Sequence, residues 1–279
     1  MNRTYTATGI NLKSIPLGEN DRIITILTKE LGLVRAVAPG ARKAKSRLGG
    51  RSELFVVNNL LLSKGRSLDR ITQAETIATY PGLSGSLGKL AAGQYLAELV
   101  LAQAMDEQPQ EQLFYLLSEH LSRLQAVDSA ATYPVLACLN HGTYHLLAVA
   151  GLAPQALACC LTRRPLLPQI GVADWRVGFS IPGGGTVSLE AIAEEGPKQG
   201  SSLTPITHYL NAIELTLLQQ LASPTLSDTI PDSPKLRSAW ISLEKVLRQY
   251  AQYHLGRSIR SAQLIETFIA SFAIDEVYS

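Results

Sequence analysis

"RIITILTKELGLVRAVA", residues 22–38, has the pattern of two β-strands joined by a tight turn. Residues 22–29 are rich in β-branched side chains, and residues 31–38 alternate between two faces, with Arg35 and Val37 on the same face. A short polar segment that ends in Gly32 separates the two runs, as is typical of a hairpin turn. The stretch therefore predicts an antiparallel hairpin.

Three further β-rich runs flank this hairpin, at residues 4–15, 52–64 and 67–79. Five short strands within residues 1–80 suit a five-stranded OB-fold barrel. An SH3-like barrel is the alternative that the strand pattern leaves open.

The pattern becomes helical after residues 80–82, Tyr-Pro-Gly. Apolar spacing and helix-start signals predict helices at 87–105, 109–127, 133–152, 205–222, 233–256 and 258–272. Residues 153–204 hold five Pro and seven Gly, and this segment is too long to be an ordinary connection between two helices. We therefore predict an α+β protein with an OB-fold domain at 1–80 and a helical domain at 81–279, interrupted by an irregular insert at 153–204 with a flexible end at 196–202.

Charge is distributed unevenly along the chain. Residues 1–80 hold 13 Lys and Arg against 6 Asp and Glu, a net charge of +7, whereas residues 81–279 hold 12 against 17, a net charge of −5. This asymmetry favours a basic module that binds a polyanion.

The positive charge is concentrated in "VAPGARKAKSRLGGRSEL", residues 37–54. No acid lies between Glu30 and Glu53, and Lys and Arg contacts to phosphates gain from counterion release. Few aromatic residues are available for base stacking, so we expect phosphate-dominated DNA binding with little sequence preference. The alternative is a solvated basic surface without a partner. The candidate DNA-binding residues are Arg35, Arg42, Lys43, Lys45, Arg47 and Arg51, with Lys13, Arg22, Arg257 and Arg260 as further candidates.

The sequence lacks the usual signatures of enzymes and metal sites. It contains no phosphate-binding P-loop, no G-x-S-x-G and no H-E-x-x-H, so we expect no enzymatic activity and no cofactor. His141 and His145 are most simply a structural pair, and the adjacent Cys159 and Cys160 cannot form the C-x-x-C chelate of structural zinc. No apolar run is long enough to span a membrane, and with three Cys and no export signal we expect a cytoplasmic protein.

Two motifs near the N-terminus resemble the RecO family of bacterial recombination mediators. The first matches G-x-x-L-K-x-x-x-x-G-E-x-D-R-I, through Gly9, Leu12, Lys13, Gly18, Glu19, Asp21, Arg22 and Ile23. The second matches V-A-x-G-A-R-K-x-K-S-R, through Val37, Ala38, Gly40, Ala41, Arg42, Lys43, Lys45, Ser46 and Arg47. Residues 68–75, 90–99 and 255–266 are also similar to the family.

The resemblance implies an N-terminal OB-fold, a helical bundle and a zinc-ribbon-like insert. It implies a non-enzymatic protein at the nucleoid that binds single- and double-stranded DNA and anneals complementary strands. It also implies that the protein has two partners, RecR and the C-terminal tail of the single-strand-binding protein SSB. With RecR, it would help to load RecA on SSB-coated strands. The alternative is a generic OB-fold protein that binds RNA or acts in translation.

The insert departs from the family pattern, in which many members carry two C-x-x-C pairs. Only Cys159 and Cys160 stand near the first pair, and residues 183–191 lack the second. We therefore expect an insert without bound metal that keeps its shape by packing of Trp175, Phe179 and Val187.

Overall fold

Five strands form a closed barrel in the first part of the chain. The computed structural model describes residues 4–128, 131–195, 205–226 and 233–275. The barrel strands are β1 (Thr4–Leu17), β2 (Asp21–Thr28), β3 (Gly32–Ala38), β4 (Val57–Ser63) and β5 (Asp69–Ala78). Their order around the barrel is β1-β2-β3-β5-β4, and β4 pairs with β1 to close it. The predicted OB-like barrel followed by helices is confirmed.

The predicted hairpin is formed by β2 and β3, which pair in regular antiparallel register from Arg22 with Ala38 to Thr28 with Gly32. Gly32 has a φ of 65°, and a Cβ atom there would lie 2.0 Å from the carbonyl oxygen of Met105. Glycine is therefore required at this turn for both its conformation and its lack of a side chain.

The barrel interior is filled by the apolar residues that alternate along its strands. Ile24, Ile26, Ala36, Leu60 and Leu62 are almost completely buried in one cluster. The residues between them on the same strands point outward, and this outer surface carries the candidate site.

Two helices belong to the same compact unit as the barrel, α1 (Leu87–Gln103) and α2 (Glu111–Ala126). A Cβ atom at Gly93 of α1 would lie 3.2 Å from the ring of Phe55, and the ammonium group of Lys29 lies 4.4 Å from the ring centroid of Tyr115 in α2. The first compact unit therefore includes both helices and extends to Ala126.

The second compact unit begins at Val127 and combines helices with a small sheet. Its helices are α3 (Thr132–Val149), α4 (Leu189–Glu195), α5 (Ala212–Gln220), α6 (Pro234–Leu255) and α7 (Ala262–Asp275). Its strands are β6 (Arg176–Ser180), β7 (Gly185–Val187) and β8 (His208–Asn211), in the order β7-β6-β8. Helices α3 and α6 pack together, and the side-chain amide of Asn140 donates to the carbonyl oxygen of Trp240 at 3.0 Å.

The insert is more regular than the sequence suggested, because it contains β6, β7 and α4. Phe179 and Val187 are fully buried there and Trp175 is half-buried. The helix expected from residue 205 begins only at Ala212, since residues 208–211 pair with β6 and Asn211 then caps α5. The expected flexible end, residues 196–202, lies outside the described residues.

Candidate nucleic-acid interface

The segment between β3 and β4, residues 39–56, is here called the basic loop. Its backbone forms a series of tight turns in which the N–H groups of Lys43, Ser46, Gly49 and Ser52 each donate to the carbonyl oxygen three residues earlier, at 3.0–3.3 Å. This local hydrogen bonding gives the loop a defined shape, so its cations project from an ordered backbone.

The start of the basic loop is attached to the tip of the β1–β2 hairpin. The guanidinium group of Arg42 donates to the carbonyl oxygen of Gly18 at 2.7 Å, and the Arg42 N–H donates to that of Asn20 at 2.9 Å. The N–H of Gly40 donates to Oδ1 of Asp21 at 2.7 Å. Arg42 therefore has a structural role as well as a charge.

The end of the basic loop is held by two buried asparagines. The side-chain amides of Asn11 and Asn58 donate to the carbonyl oxygen of Arg51, at 2.8 and 3.0 Å, and Asn11 also donates to that of Glu53 at 2.9 Å. Both asparagine side chains thus satisfy backbone groups, as buried polar groups require.

The candidate cations differ in whether a carboxylate neutralises them. Within the described part of the chain, Lys43, Lys45 and Arg47 form no ion pair with a carboxylate, and all three are exposed. The side chain of Arg22, by contrast, lies 3.1 Å from Oε1 of Glu53 and donates to the hydroxyl of Ser14. A carboxylate therefore neutralises Arg22 but none of these three loop cations.

Two of the predicted cations lie on the outer face of the sheet formed by β1, β2 and β3. Thr25 is the register partner of Lys13 on one side and of Arg35 on the other. Because cross-strand partners share a face, Lys13, Thr25 and Arg35 form one outward row. Arg22 has the opposite parity on β2 and pairs with Glu53, so it does not belong to this row.

Arg70 belongs to the same outer face, although the sequence did not single it out. It is the parallel-strand partner of Val37 and is exposed, whereas Asp69 and Ile71 on either side are buried. The alternation predicts that Arg70 points outward, but its place beside β3 depends on the β3–β5 pairing, which the sequence pattern does not reveal.

Arg47 and Arg51 line a different surface, an open groove of about 840 Å³ along β1, β4 and β5. Polar side chains such as Asn59 and Gln73 line it, together with the carboxylates of Glu30 and Glu75. The cations of the basic loop are therefore not all directed at one uniform positive surface.

The last two candidates, Arg257 and Arg260, lie in the second unit. Both are exposed and belong to the connection between α6 and α7, where the N–H of Ile259 donates to Oε1 of Gln252 at 3.0 Å.

Cys159 and Cys160 do not provide the ligands of a zinc ribbon. Burial raises the pKa of the Cys159 thiol, but donors at Thr162, Ser188 and Leu161 outweigh this effect and hold the pKa below its ordinary value. In the described ranges, no group of three metal-ligating side chains includes either cysteine. Tetrahedral zinc requires four ligands, so these residues do not fit the metal.

The first part of the sequence, residues 1–80, matches the family model described as Recombination protein O N terminal, and residues 84–263 match the model described as Recombination protein O C terminal. The chain belongs to the RecO family of DNA repair proteins. Curated RecO relatives align with it over nearly their whole length. A protein called DNA repair protein RecO from a Nostoc species is 54% identical, with 97% of this chain and 98% of the relative covered. The proteins of the same name from Trichodesmium erythraeum and Synechococcus elongatus are 52% and 45% identical, with 98% and 99% of this chain and 97% and 100% of the relatives covered.

The two RecO family models meet between residues 80 and 84, close to the end of β5. The boundary between the two family domains therefore follows the end of the barrel and not the boundary between the compact units. Among the described helices of this RecO-family chain, none has the length and apolarity needed to cross a membrane.

Proposed function

We propose that this RecO-family protein is a non-enzymatic recombination mediator that binds single- and double-stranded DNA and anneals complementary strands. With RecR, it helps RecA to load on SSB-coated single strands, in the cytoplasm at the nucleoid. The observation that carries this proposal is the set of exposed barrel cations, Lys43, Lys45 and Arg47 above all, that have no carboxylate partner in the described part of the chain.

Phosphate contacts of this kind support binding that is independent of sequence, because Lys and Arg release condensed counterions when they neutralise phosphates. Flexible exposed side chains screen two repelling strands while leaving base edges free to pair. The aromatic residues of the barrel favour this interpretation, since Phe55 is buried and Tyr5 is half-buried with its hydroxyl donating to Asp69. Neither ring offers a strong stacking platform that would hold bases away from a partner strand.

In this proposal the chain binds SSB through the C-terminal tail of SSB. The family resemblance implies that this tail is acidic and has an apolar end. A site for it combines an apolar surface with one or two cations. We place that site in the helical part of the chain, at residues 81–279.

The test is a strand-annealing assay with complementary oligonucleotides coated by SSB, with and without RecR. The proposal expects faster pairing than SSB alone allows, and more RecA on the coated strand when RecR is added. Binding without any acceleration of annealing, or a preference for RNA oligonucleotides over DNA, contradicts it and favours an RNA-binding role.

A further inference from the structure

Two histidines of α3 direct their side chains at one backbone oxygen. Nε2 of His141 lies 2.8 Å from the carbonyl oxygen of Ser223, and Nε2 of His145 lies 3.0 Å from the same atom. The centroids of the two imidazole rings are only 4.0 Å apart, because residues four positions apart are neighbours on a helix surface. Two ring nitrogens and one carbonyl oxygen therefore face one another closely.

The carbonyl group of Ser223 belongs to the turn that follows α5. The N–H of Leu221 donates to the carbonyl oxygen of Leu217 at 3.1 Å, and the N–H of Ser223 donates to that of Gln220 at 3.0 Å, so the last turn tightens as the helix ends. Carbonyl oxygens near a helix C-terminus lack intrahelical donors and lie at the negative end of the helix dipole. The oxygen that faces the two imidazoles is therefore well suited to a cation.

The separations between these three atoms are close to those of ligands on one metal ion. Zinc binds a histidine nitrogen or a protein oxygen at about 2.1 Å, so two such ligands lie roughly 3.0 Å apart at a right angle and roughly 3.4 Å apart at a tetrahedral angle. The observed nitrogen–oxygen separations of 2.8 and 3.0 Å are close to the first value. They need to widen by only about half an ångström to reach the second.

We propose that His141, His145 and the carbonyl oxygen of Ser223 bind a divalent transition metal ion of the zinc class. Imidazole nitrogen is a ligand for zinc, copper and nickel, and three protein ligands with one water form an open zinc site. Both imidazoles bind in the neutral form, with the proton on Nδ1 and the Nε2 lone pair on the ion. His141 is fully buried and His145 is half-buried, so the site opens to solvent beside His145.

The other two histidines of this unit are placed differently. Nε2 of His208 lies 2.8 Å from Oε1 of Gln249, and Nε2 of His254 lies 3.0 Å from the carbonyl oxygen of Ile181. Each of these imidazoles has an acceptor of its own, whereas His141 and His145 share one. A metal ion accounts for the shared oxygen because it binds both imidazoles and the oxygen at once.

The proposed ion joins segments that are distant in the sequence, since Ser223 is 82 positions from His141 and 78 from His145. These ligands come together only in the folded second unit, so metal binding adds to the stability of that unit. The insert lies between these segments, and its adjacent cysteines do not form a zinc ribbon. Histidines outside the insert therefore supply the metal ligands that the insert lacks.

The experiment uses the full chain without a histidine tag, freed of metal by a chelator and titrated with zinc chloride in a calorimeter. The test variant is His145→Gln, because glutamine can still donate to the carbonyl oxygen of Ser223 but provides no imidazole nitrogen. The matched control is His208→Gln, which removes a histidine outside the site. The wild type and the control should bind zinc with the same affinity, and His145→Gln should bind it roughly tenfold more weakly or less.

Thermal denaturation gives a second measurement. Zinc at about a hundred times its Kd should raise the melting temperature of the wild type by roughly 5 °C or more. His145→Gln should lose this rise and should melt close to the wild type when metal is absent. A purely structural hydrogen bond predicts the opposite result, in which zinc changes neither melting temperature.

Absence of zinc binding by the wild type overturns the proposal and leaves His141 and His145 as hydrogen-bond partners of Ser223. Equally strong zinc binding by the wild type and His145→Gln also overturns it and assigns the ion to other ligands. If His145→Gln does not fold, nitrogen NMR of the wild type decides. Zinc must then move the ring-nitrogen signals of His141 and His145 and leave that of His208 in place, and unmoved signals of the pair overturn the proposal.

Discussion

Reversing two charges of the basic loop, Lys43→Glu with Lys45→Glu, should weaken the salt dependence of single-strand binding by a predictable amount. Both side chains are exposed, and neither forms an ion pair with a carboxylate within the described ranges. The substitutions spare Arg42, whose guanidinium group is hydrogen-bonded to the hairpin tip. They therefore test charge without removing an anchor of the loop.

The magnitude follows from counterion release. Each phosphate contact on single-stranded DNA contributes about −0.7 to the slope of log affinity against log salt concentration, so four to six contacts give a slope of roughly −3 to −4. Loss of two contacts should flatten the slope by about 1.4. When salt is raised from roughly 50 to 200 mM, the variant's affinity should therefore fall by a factor about sevenfold smaller than the factor for the wild type. Annealing should fall with the affinity, while the melting temperature should change little because exposed charges contribute little stability.

Fluorescence anisotropy of a labelled oligonucleotide over a series of salt concentrations measures the slope. The matched control is Lys235→Glu with Lys245→Glu, which changes the net charge equally through two exposed lysines of α6. If both double variants flatten the slope to the same extent, the effect is one of net charge. An unchanged slope in the loop variant would refute the reasoning and direct attention to Arg257 and Arg260.

Three further outcomes test other parts of the structure. Gly18→Ala and Gly32→Ala both place alanine at a φ near +60°, but only Gly32 lacks room for a Cβ atom. Thermal or chemical denaturation should therefore show that the free energy of unfolding falls by about 1 kcal/mol for Gly18→Ala and by ~3 kcal/mol or more for Gly32→Ala. Equal losses would contradict the close approach of Gly32 to Met105. Burial raises the pKa of Tyr250 to about 12 from an ordinary value of 10.0, so the folded state favours the neutral phenol. The free energy of unfolding should therefore fall as the pH rises from 10 towards 12. Tyr250→Phe should lose this part of the pH dependence. Glu53→Gln removes the carboxylate that pairs with Arg22 and should steepen the salt slope of DNA binding by about 0.7 if the freed guanidinium reaches a phosphate, whereas an unchanged slope would mean that Arg22 stays structural.

The strands of the barrel were predictable because each one has an outer and an inner face. Alternation along residues 31–38 indicates which side chains are buried, and Gly32 marks the turn. The short strands of the insert lack this signal. All three residues of β7 and four of the five residues of β6 are buried, so no polar face alternates with an apolar one. The residues of β8 come directly before α5, and Asn211 at the end of β8 belongs to the capping box of that helix. The sequence pattern therefore included β8 in the predicted helix.

The positive charge of the candidate site was predictable from composition, but its division between surfaces was not. A count of cations in residues 37–54 treats all of them alike. Tertiary contacts then distinguish Arg42, which anchors the hairpin tip, from Arg47, which lines the groove beside two carboxylates. They also show that Arg22 is neutralised by Glu53, an acid at the far end of the loop that becomes a neighbour only when the barrel closes.

Strand register explains why the outer face of the barrel is not evident in the sequence. Ile15, Ile23, Val37 and Arg70 are separated by 8, 14 and 33 positions along the chain, yet they are consecutive partners across four strands. A shift of one residue in any of these pairings would turn that strand's contribution towards the barrel interior. The pairing of β3 with β5 is especially important, because it joins two strands that are not consecutive and brings Arg70 beside Val37. Closure of the barrel therefore does more than bury a core, since it brings apolar and cationic side chains from distant segments onto one outer face.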